Sequence, residues 1–346
     1  MAKRLILSDL HFGDPLCSLR REFVTTGLRQ FLQGLKDVDE LILAGDILDV
    51  NIASLTQAIE GVKGPESWPK QIGFRAWLAF LFDGLEFNVN KIVFIPGNHD
   101  YIIWNILATD KAFVQPISQG QVPKNLPLMK GVFPHAFIRG VFPKELWERF
   151  IVVYPDYEFN LSGRKIFVTH GHYLDDQQTL FKNLQELIDE ANGNEAKAVR
   201  KFFIGTAQYQ AVANAVSYMK GMREFIYRVH KKLGKLLDKV DIIGKLRNQP
   251  INNSMVRAIE LYLRYFSDTQ PDVFIFGHTH EAGHIFDIIF DGKYRRSIEI
   301  WNTGCFIEKG NIAGSFILTE DDSGANGTIT LFEVNLNGDV QNKMSK

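Results

Sequence analysis

Short apolar runs, each cut off by a polar cluster that usually holds glycine, set the rhythm of this chain. Arg4–Leu7, Leu41–Ala44, Lys91–Ile95, Lys165–Thr169 and Val273–Phe276 are such runs. Rich in Ile, Val, Leu and Phe, they read as strands buried on both faces. Between the early runs, Glu22–Leu35 and Phe74–Leu85 read as helices. Strand, polar turn and helix in alternation predict an α/β domain with ligands gathered at the strand ends. Tyr157–Leu161 and Lys165–Thr169 flank a hairpin turn at Ser162-Gly163-Arg164, and His284–Phe290 and Ser297–Asn302 flank Asp291-Gly292. With Ser315–Thr319 and Thr328–Val334 the C-terminal part is β-rich, which predicts two sheets packed together with helices outside.

Between about Asp175 and Asp268 the period changes. Leu180, Phe181, Leu184, Leu187 and Ile188 follow helical spacing, as do Phe225, Ile226, Val229, Leu233, Leu236, Leu237, Val240 and Ile243. Asn253 is a plausible N-cap for a third helix running to Ser267. Residues 175–268 are therefore expected as a helical insertion or cap, within a discontinuous catalytic domain of residues 1–174 and 269–346. The proline-bearing stretch Ile117–Phe142 reads as a long surface loop of the kind that shapes substrate sites.

Composition narrows the class without fixing the chemistry. At 346 residues, 45% hydrophobic and 23% charged, the chain is an ordinary globular one, long enough for one large domain with an insertion. A net charge of −1 argues against binding nucleic acid with the whole surface. The charge is unevenly spread, however: Lys197–Arg247 holds twelve Lys and Arg against Glu224, Asp238 and Asp241. That stretch is either a solvated basic face or a device that draws in an anionic substrate, a lipid head group or a nucleic acid. If it steers substrate, reversing Lys231, Lys232 and Lys235 to Glu raises KM for the natural substrate. Cys17 and Cys305 are the only cysteines, which excludes a disulfide framework and a thiolate cluster. No leader and no membrane-length apolar stretch is evident, so the cytoplasm is the expected location.

Five motifs follow strand-like runs: Asp9-Leu10-His11, Gly45-Asp46-Ile47-Leu48-Asp49, Gly97-Asn98-His99-Asp100, His170-Gly171-His172 and Gly277-His278-Thr279-His280. Strand ends in one sheet edge bring such side chains together. Oxygen and imidazole donors without thiolate suit Mn, Fe or Zn. Seven candidate ligands exceed what one tetrahedral catalytic zinc uses. They suit two ions sharing a carboxylate, an arrangement that activates water and clamps the oxygens of an in-line displacement at phosphorus.

Taken in order, these motifs resemble the calcineurin-like metallophosphoesterase superfamily over about residues 1–172 and 270–320. The resemblance implies a four-layer α/β/β/α sandwich with two mixed sheets. It also implies that Asp9, His11, Asp46 and His280 hold one metal, and that Asp46 bridges to a second completed by Asn98, His170 and His278. Two divalent ions are implied, manganese first, with iron or zinc as alternatives. His99 then faces the substrate as general acid or electrostatic clamp, and Asp49 fixes its tautomer and favours its cation. Trp301-Asn302-Thr303-Gly304 resembles a turn of several members but has Thr303 where they carry proline, and no catalytic role is assigned to it.

The activity expected is hydrolysis of a phosphate ester or pyrophosphate by a metal-bridging hydroxide. UDP-2,3-diacylglucosamine pyrophosphohydrolase-like members share a helical cap, although His99 stands where those carry arginine. A nuclease or cyclic-nucleotide phosphodiesterase is the alternative enzyme, and a scaffold that lost catalysis is the alternative outside enzymes. Protein serine/threonine phosphatases fit poorly, because Val50-Asn51 follow Asp49 instead of Arg-Gly. His172, Asp100 and Asp14 read as supporting or packing residues, and His135, His230 and His284 match no motif.

Overall fold

The computed structural model describes the chain apart from residues 1, 36, 52, 63–70, 83–87, 123–130, 135–143, 176–183, 193, 218–250, 252, 266, 268–269, 290–296, 322–326 and 346. Strand β1 (Lys3–Leu7) leads to helix α1 (Glu22–Leu35) and strand β2 (Asp37–Ala44). Helix α2 (Leu55–Glu60), the short pair β3 (Gly61–Val62) and β4 (Gln71–Ile72), and α3 (Phe74–Phe82) precede β5 (Asn88–Ile95). Then come α4 (Tyr101–Thr109), α5 (Gln115–Ser118), β6 (Gly131–Pro134), β7 (Phe150–Tyr154), β8 (Asp156–Leu161) and β9 (Arg164–Thr169). Helices α6 (Leu184–Glu190), α7 (Glu195–Ser217) and α8 (Asn253–Tyr265) separate β9 from β10 (Val273–Phe276). The chain closes with β11 (Gly283–Ile289), β12 (Ser297–Asn302), β13 (Ile312–Glu320), β14 (Thr328–Asn335) and β15 (Val340–Ser345).

The five apolar runs are all strands, and they form the parallel centres of two mixed sheets. One has the order β15-β14-β13-β1-β2-β5-β7-β6 and the other β11-β12-β10-β9-β8. In the larger, β1, β2, β5 and β7 run parallel, with Leu5 opposite Leu41 and Ile42 opposite Val93. In the smaller, β9, β10 and β12 run parallel, with Phe274 between Phe167 and Ile300.

Alternation along these strands sorts their side chains into three cores. Leu5, Leu7, Leu41, Leu43, Ile92 and Phe94 point outward onto α1, α3 and α4, packing with Leu28, Trp77 and Trp104. Their neighbours Ile6, Ile42, Ala44, Val93 and Ile95 point inward and meet Ile166, Val168, Val273, Ile275 and Trp301. On the far side, Phe167, Phe274, Phe276 and Ile300 pack against Leu187 of α6, Phe202 and Phe203 of α7, and Ile259 and Tyr262 of α8. The layers run α/β/β/α. Each large apolar side chain among these contributes about 1.5–3 kcal/mol relative to exposure, so apolar burial holds the sheets to each other as well as to their helices.

Local signals account for several element ends. Ser54 caps α2, accepting from Gln57 N at 3.1 Å while Gln57 Oε1 accepts from Ser54 N at 2.9 Å. Ser162 (φ 48°) and Gly163 (φ 89°) form the two-residue turn between β8 and β9, where positive φ at both positions matches strand twist. The stretch 117–142, expected as a loop, instead contributes the end of α5 and the edge strand β6, antiparallel to β7. Proline is compatible with that edge position, where no neighbour needs its missing N–H. The helical run Phe225–Ile243, the Asp291-Gly292 turn, His135 and His230 lie outside the described residues. Among the described residues no helix is long and apolar enough to cross a membrane.

Candidate metal centre

The motifs occupy the turns that leave the C-terminal ends of β1, β2, β5, β9 and β10. The first two turns continue the sheet's hydrogen bonding past the strands: Asp9 N donates to Gly45 O, His11 N to Asp46 O and Phe12 N to Ile47 O, each at 2.9 Å. Asp9, His11, Asp46, His278 and His280 all have left-handed backbones, with φ between 51° and 67°. For residues with a Cβ this conformation costs about 1–3 kcal/mol each and gathers at functional sites. Two glycines make the close approach possible. A Cβ on Gly97 would lie 2.3 Å from Asp46 Oδ1, and one on Gly277 would lie 1.9 Å from Ser8 Oγ and 2.3 Å from Asp9 Oδ2.

The side chains converge in overlapping groups that can hold a metal ion: Asp9, His11 and His280; Asp46, His170 and His278; and, between them, His11, Asp46 and His99. His280 Nε2 lies 3.2 Å from Asp9 Oδ1 and 3.1 Å from His11 Nε2. Asp46 Oδ2 lies 3.3 Å from His170 Nε2 and 3.9 Å from His11 Nε2, so this carboxylate faces both groups. Asn98 Oδ1 is 3.1 Å from His170 Nε2. The imidazoles are oriented from behind. His11 Nδ1 is 3.1 Å from Asp49 Oδ2, and His170 Nδ1 is 3.1 Å from Ala44 O. Carboxylate and carbonyl oxygens only accept, so each Nδ1 carries a proton and each Nε2 faces inward, the nitrogen that offers a lone pair when the ring is neutral.

Buried acceptors facing one another need positive charge between them. Asp9 Oδ1 is fully buried and faces imidazole nitrogens, His280 Nε2 at 3.2 Å and His11 Nε2 at 3.8 Å, a position suited to a cation. Protons or metal ions can supply the charge. Burial acts against ionisation, yet the surrounding imidazoles, His170 foremost, hold the Asp9 and Asp46 carboxyls well below the usual range. Conversely, burial lowers His170, but Asp46 and Asp9 outweigh it and raise its pKa to about 9. His11 is likewise raised, by Asp49, Asp9 and Asp46 against its burial. The donor set, hard oxygens and imidazoles, fits divalent Mn, Fe or Zn.

His99 stands at the edge of this cluster, its side chain 27% exposed while Asp49 is buried, and its Nδ1 is 2.9 Å from Asp49 Oδ1. One carboxylate thus backs both His11 and His99. Despite burial, Asp49 and Asp46 raise the pKa of His99.

All nine residues singled out from the sequence, Asp9, His11, Asp46, Asp49, Asn98, His99, His170, His278 and His280, are at this centre. Asp100 is buried and accepts from the backbone N–H of Gly97 (2.6 Å), Ile47 (2.8 Å) and Leu48 (3.2 Å), tying the second and third turns together. Asp14 caps its own turn through Leu16 N at 2.7 Å. His172 is buried against Tyr154, whose Oη is 3.2 Å from its Nε2. His284 lies against Trp301 with ring centroids 4.2 Å apart. Asn302 braces the last motif, its Nδ2 donating to Thr279 Oγ1 at 2.7 Å and to Gly277 O at 3.2 Å.

Three residues at the centre carry no motif signal. Ser8 Oγ donates to Asp9 Oδ2. Lys309 Nζ donates to His280 O at 2.7 Å. Asp175 Oδ2 is 3.0 Å from His278 Nε2.

Two mixed sheets between helical layers, with carboxylates and imidazoles at adjoining strand ends, define a metal-binding site of the phosphoesterase type. Residues 2–282 match the model of the calcineurin-like phosphoesterases, and the chain belongs to that family. No curated protein matches it. Among solved structures it is similar to Vps29 of Entamoeba histolytica complexed with Zn²⁺, at 12% identity and a TM-score of 0.34, over 99% of this chain and 97% of that one. GAP50, the anchor in the inner membrane complex of Plasmodium, is similar at 11% identity and a TM-score of 0.36, over 100% of this chain and 87% of that one. Likenesses this weak add nothing to the reading of the site.

Proposed function

We propose that this protein is a binuclear metal-dependent phosphohydrolase acting on a phosphate ester or pyrophosphate. The observation that carries the reading is the placement of Asp46, whose Oδ2 faces His170 on one side and His11 on the other. A carboxylate between two donor groups is what a pair of ions needs. Asp9, His11 and His280 would hold one ion, and Asn98, His170 and His278 the other, with Asp46 shared. Two such ions, manganese the first choice, supply an activated water and charge stabilisation at phosphorus.

The chain's own residues supply the rest. Asp49, whose Oδ1 is 2.9 Å from His99 Nδ1, favours the cation of that ring, so its Nε2–H is left for the substrate. There it protonates the leaving oxygen or stabilises charge on the phosphoryl group. The turns held by Asp100 keep Asn98 and His99 in fixed register with Asp46.

Hydrolysis of bis(p-nitrophenyl) phosphate by EDTA-stripped protein, with and without Mn²⁺, tests the reading. Turnover restored by metal and missing from Asp46→Asn is the expected result. A protein that binds no metal and hydrolyses no diester, monoester or pyrophosphate would instead be a scaffold.

A further inference from the structure

The imidazoles of the centre are not all turned the same way. His11 and His170 are held through Nδ1, by Asp49 and by the Ala44 carbonyl, and turn Nε2 inward. His278 is held through Nε2, which lies 3.0 Å from Asp175 Oδ2. An ionised carboxylate only accepts, so the proton of His278 sits on Nε2 and the lone pair on Nδ1. Among the described residues, Asp175 is in none of the groups that can hold an ion, whereas His278 groups with Asp46 and His170.

Asp175 is itself firmly placed. It ends the single turn His172–Leu174, with its N–H donating to His172 O at 3.2 Å and Leu174 N donating to Gly171 O at 2.9 Å. Tyr173 and Leu174 of that turn are buried in the core formed by α7, α8 and the outer face of the smaller sheet. Tyr262 of α8 also donates to Asp156 Oδ2 at 2.6 Å, at the start of β8. Through the buried Tyr173 and Leu174, the helical layer anchors the turn that ends in this carboxylate. His278 needs such support, because its backbone is left-handed (φ 67°) and it leaves a turn bent around Ser8 and Asp9.

We infer that Asp175 is a positioning residue that fixes His278 in the Nε2–H tautomer, so that this ring offers Nδ1 to the second metal. The inference rests on the binuclear reading, but its first test needs no metal. In metal-free protein labelled with ¹⁵N-histidine, long-range ¹H–¹⁵N correlation identifies the tautomer of each ring. The expected result is neutral His278 as the Nε2–H form in the parent chain and in Asp175→Asn, whose amide oxygen still accepts. In Asp175→Ala that preference is lost. A His278 that is Nδ1–H in the parent protein, or unchanged in Asp175→Ala, overturns the inference whatever the metals do.

Calorimetric titration with Mn²⁺ is the second readout. Asp175→Ala is expected to weaken one of two binding events about 10–100-fold, as loss of an outer hydrogen bond to a ligating histidine does, and to leave the other unchanged. Asp175→Asn is expected to recover most of that loss. Two unaltered binding events in Asp175→Ala would also overturn it. If the parent chain bound only one ion, the binuclear reading would fail on its own, and the tautomer measurement would still decide the role of Asp175.

Discussion

The two sheets bring different chemistry to one centre. Strand ends of the larger sheet carry Asp9, Asp46 and Asp49 together with His11, Asn98 and His99, whereas those of the smaller sheet bring the imidazoles His170, His278 and His280, with Asp175 behind His278. Apart from the other, the first set would leave Asp9 and Asp46 without His170 and His280, and the second would leave those imidazoles without the carboxylates they face. Charge balance therefore depends on the inward core of Ile6, Ile42, Val93, Val168 and Ile275 that presses the sheets together. The difference teaches that assembling the site and packing the sandwich are one event.

The sharpest way to separate the two contributions is at His99, the imidazole of the larger sheet that faces outward. His99→Asn is expected to lower kcat about 10²–10⁴-fold, the usual contribution of a positioned proton donor, with Mn²⁺ stoichiometry unchanged in a dialysis measurement. Loss of metal together with turnover would show that this ring is a ligand.

One imidazole of the smaller sheet, His170, should register as a proton. In metal-free protein the pKa of His170, about 9, lies above its ordinary value, so its ring is cationic at neutral pH and must lose a proton to bind a metal. For one proton displaced, Mn²⁺ affinity rises about tenfold per pH unit from pH 7 and levels off near pH 9. Titration in two buffers of different ionisation enthalpy counts the protons released. The sign reverses for folding without metal: the stabilisation from this raised pKa is fully present below the unfolded value near 6.5 and is lost as pH rises through about 9.

Crowding where the sheets meet gives the next effect. Gly277→Ala forces a methyl against Ser8 and Asp9 and is expected to destabilise by about 1–3 kcal/mol. By contrast Gly34→Ala, in α1 with open space around the new methyl, should stabilise by up to about 1 kcal/mol. Urea unfolding of both variants tests whether the junction or the helical layer is the tighter place.

The smallest effect lies away from the centre. Arg21 and Arg20 hydrogen-bond Glu308 and, against modest burial, hold its carboxyl below its ordinary value. Its stabilisation is present above the unfolded pKa near 4.5 and fades as pH falls through the folded one. With Arg21 largely in solvent, Glu308→Gln should cost less than about 1 kcal/mol at pH 7 and still less at pH 3.5.

Much of this was readable from residues alone, where burial and periodicity agree. The runs ending in Leu7, Ala44, Ile95, Thr169 and Phe276 are buried on both faces, so composition sufficed to name them. Strand β15 is mostly exposed, and the sequence Val-Gln-Asn-Lys-Met-Ser shows no apolar alternation, because its place is set by backbone pairing with β14. Helix α4 is apolar almost all round, with no stripe of helical period to mark it. At the centre, residues that offer donors inward sit in motifs. Asp175, Ser8 and Lys309 act on those donors from behind, and such contacts arise from folding and follow no spacing.

The left-handed backbones at Asp9, His11, Asp46, His278 and His280 bear on what the centre costs the fold. Glycine at any of them would relieve strain worth about 1 kcal/mol or more and, at the aspartates, would remove buried charge as well. Each of the five therefore sets a local backbone cost against the donor it places at the centre.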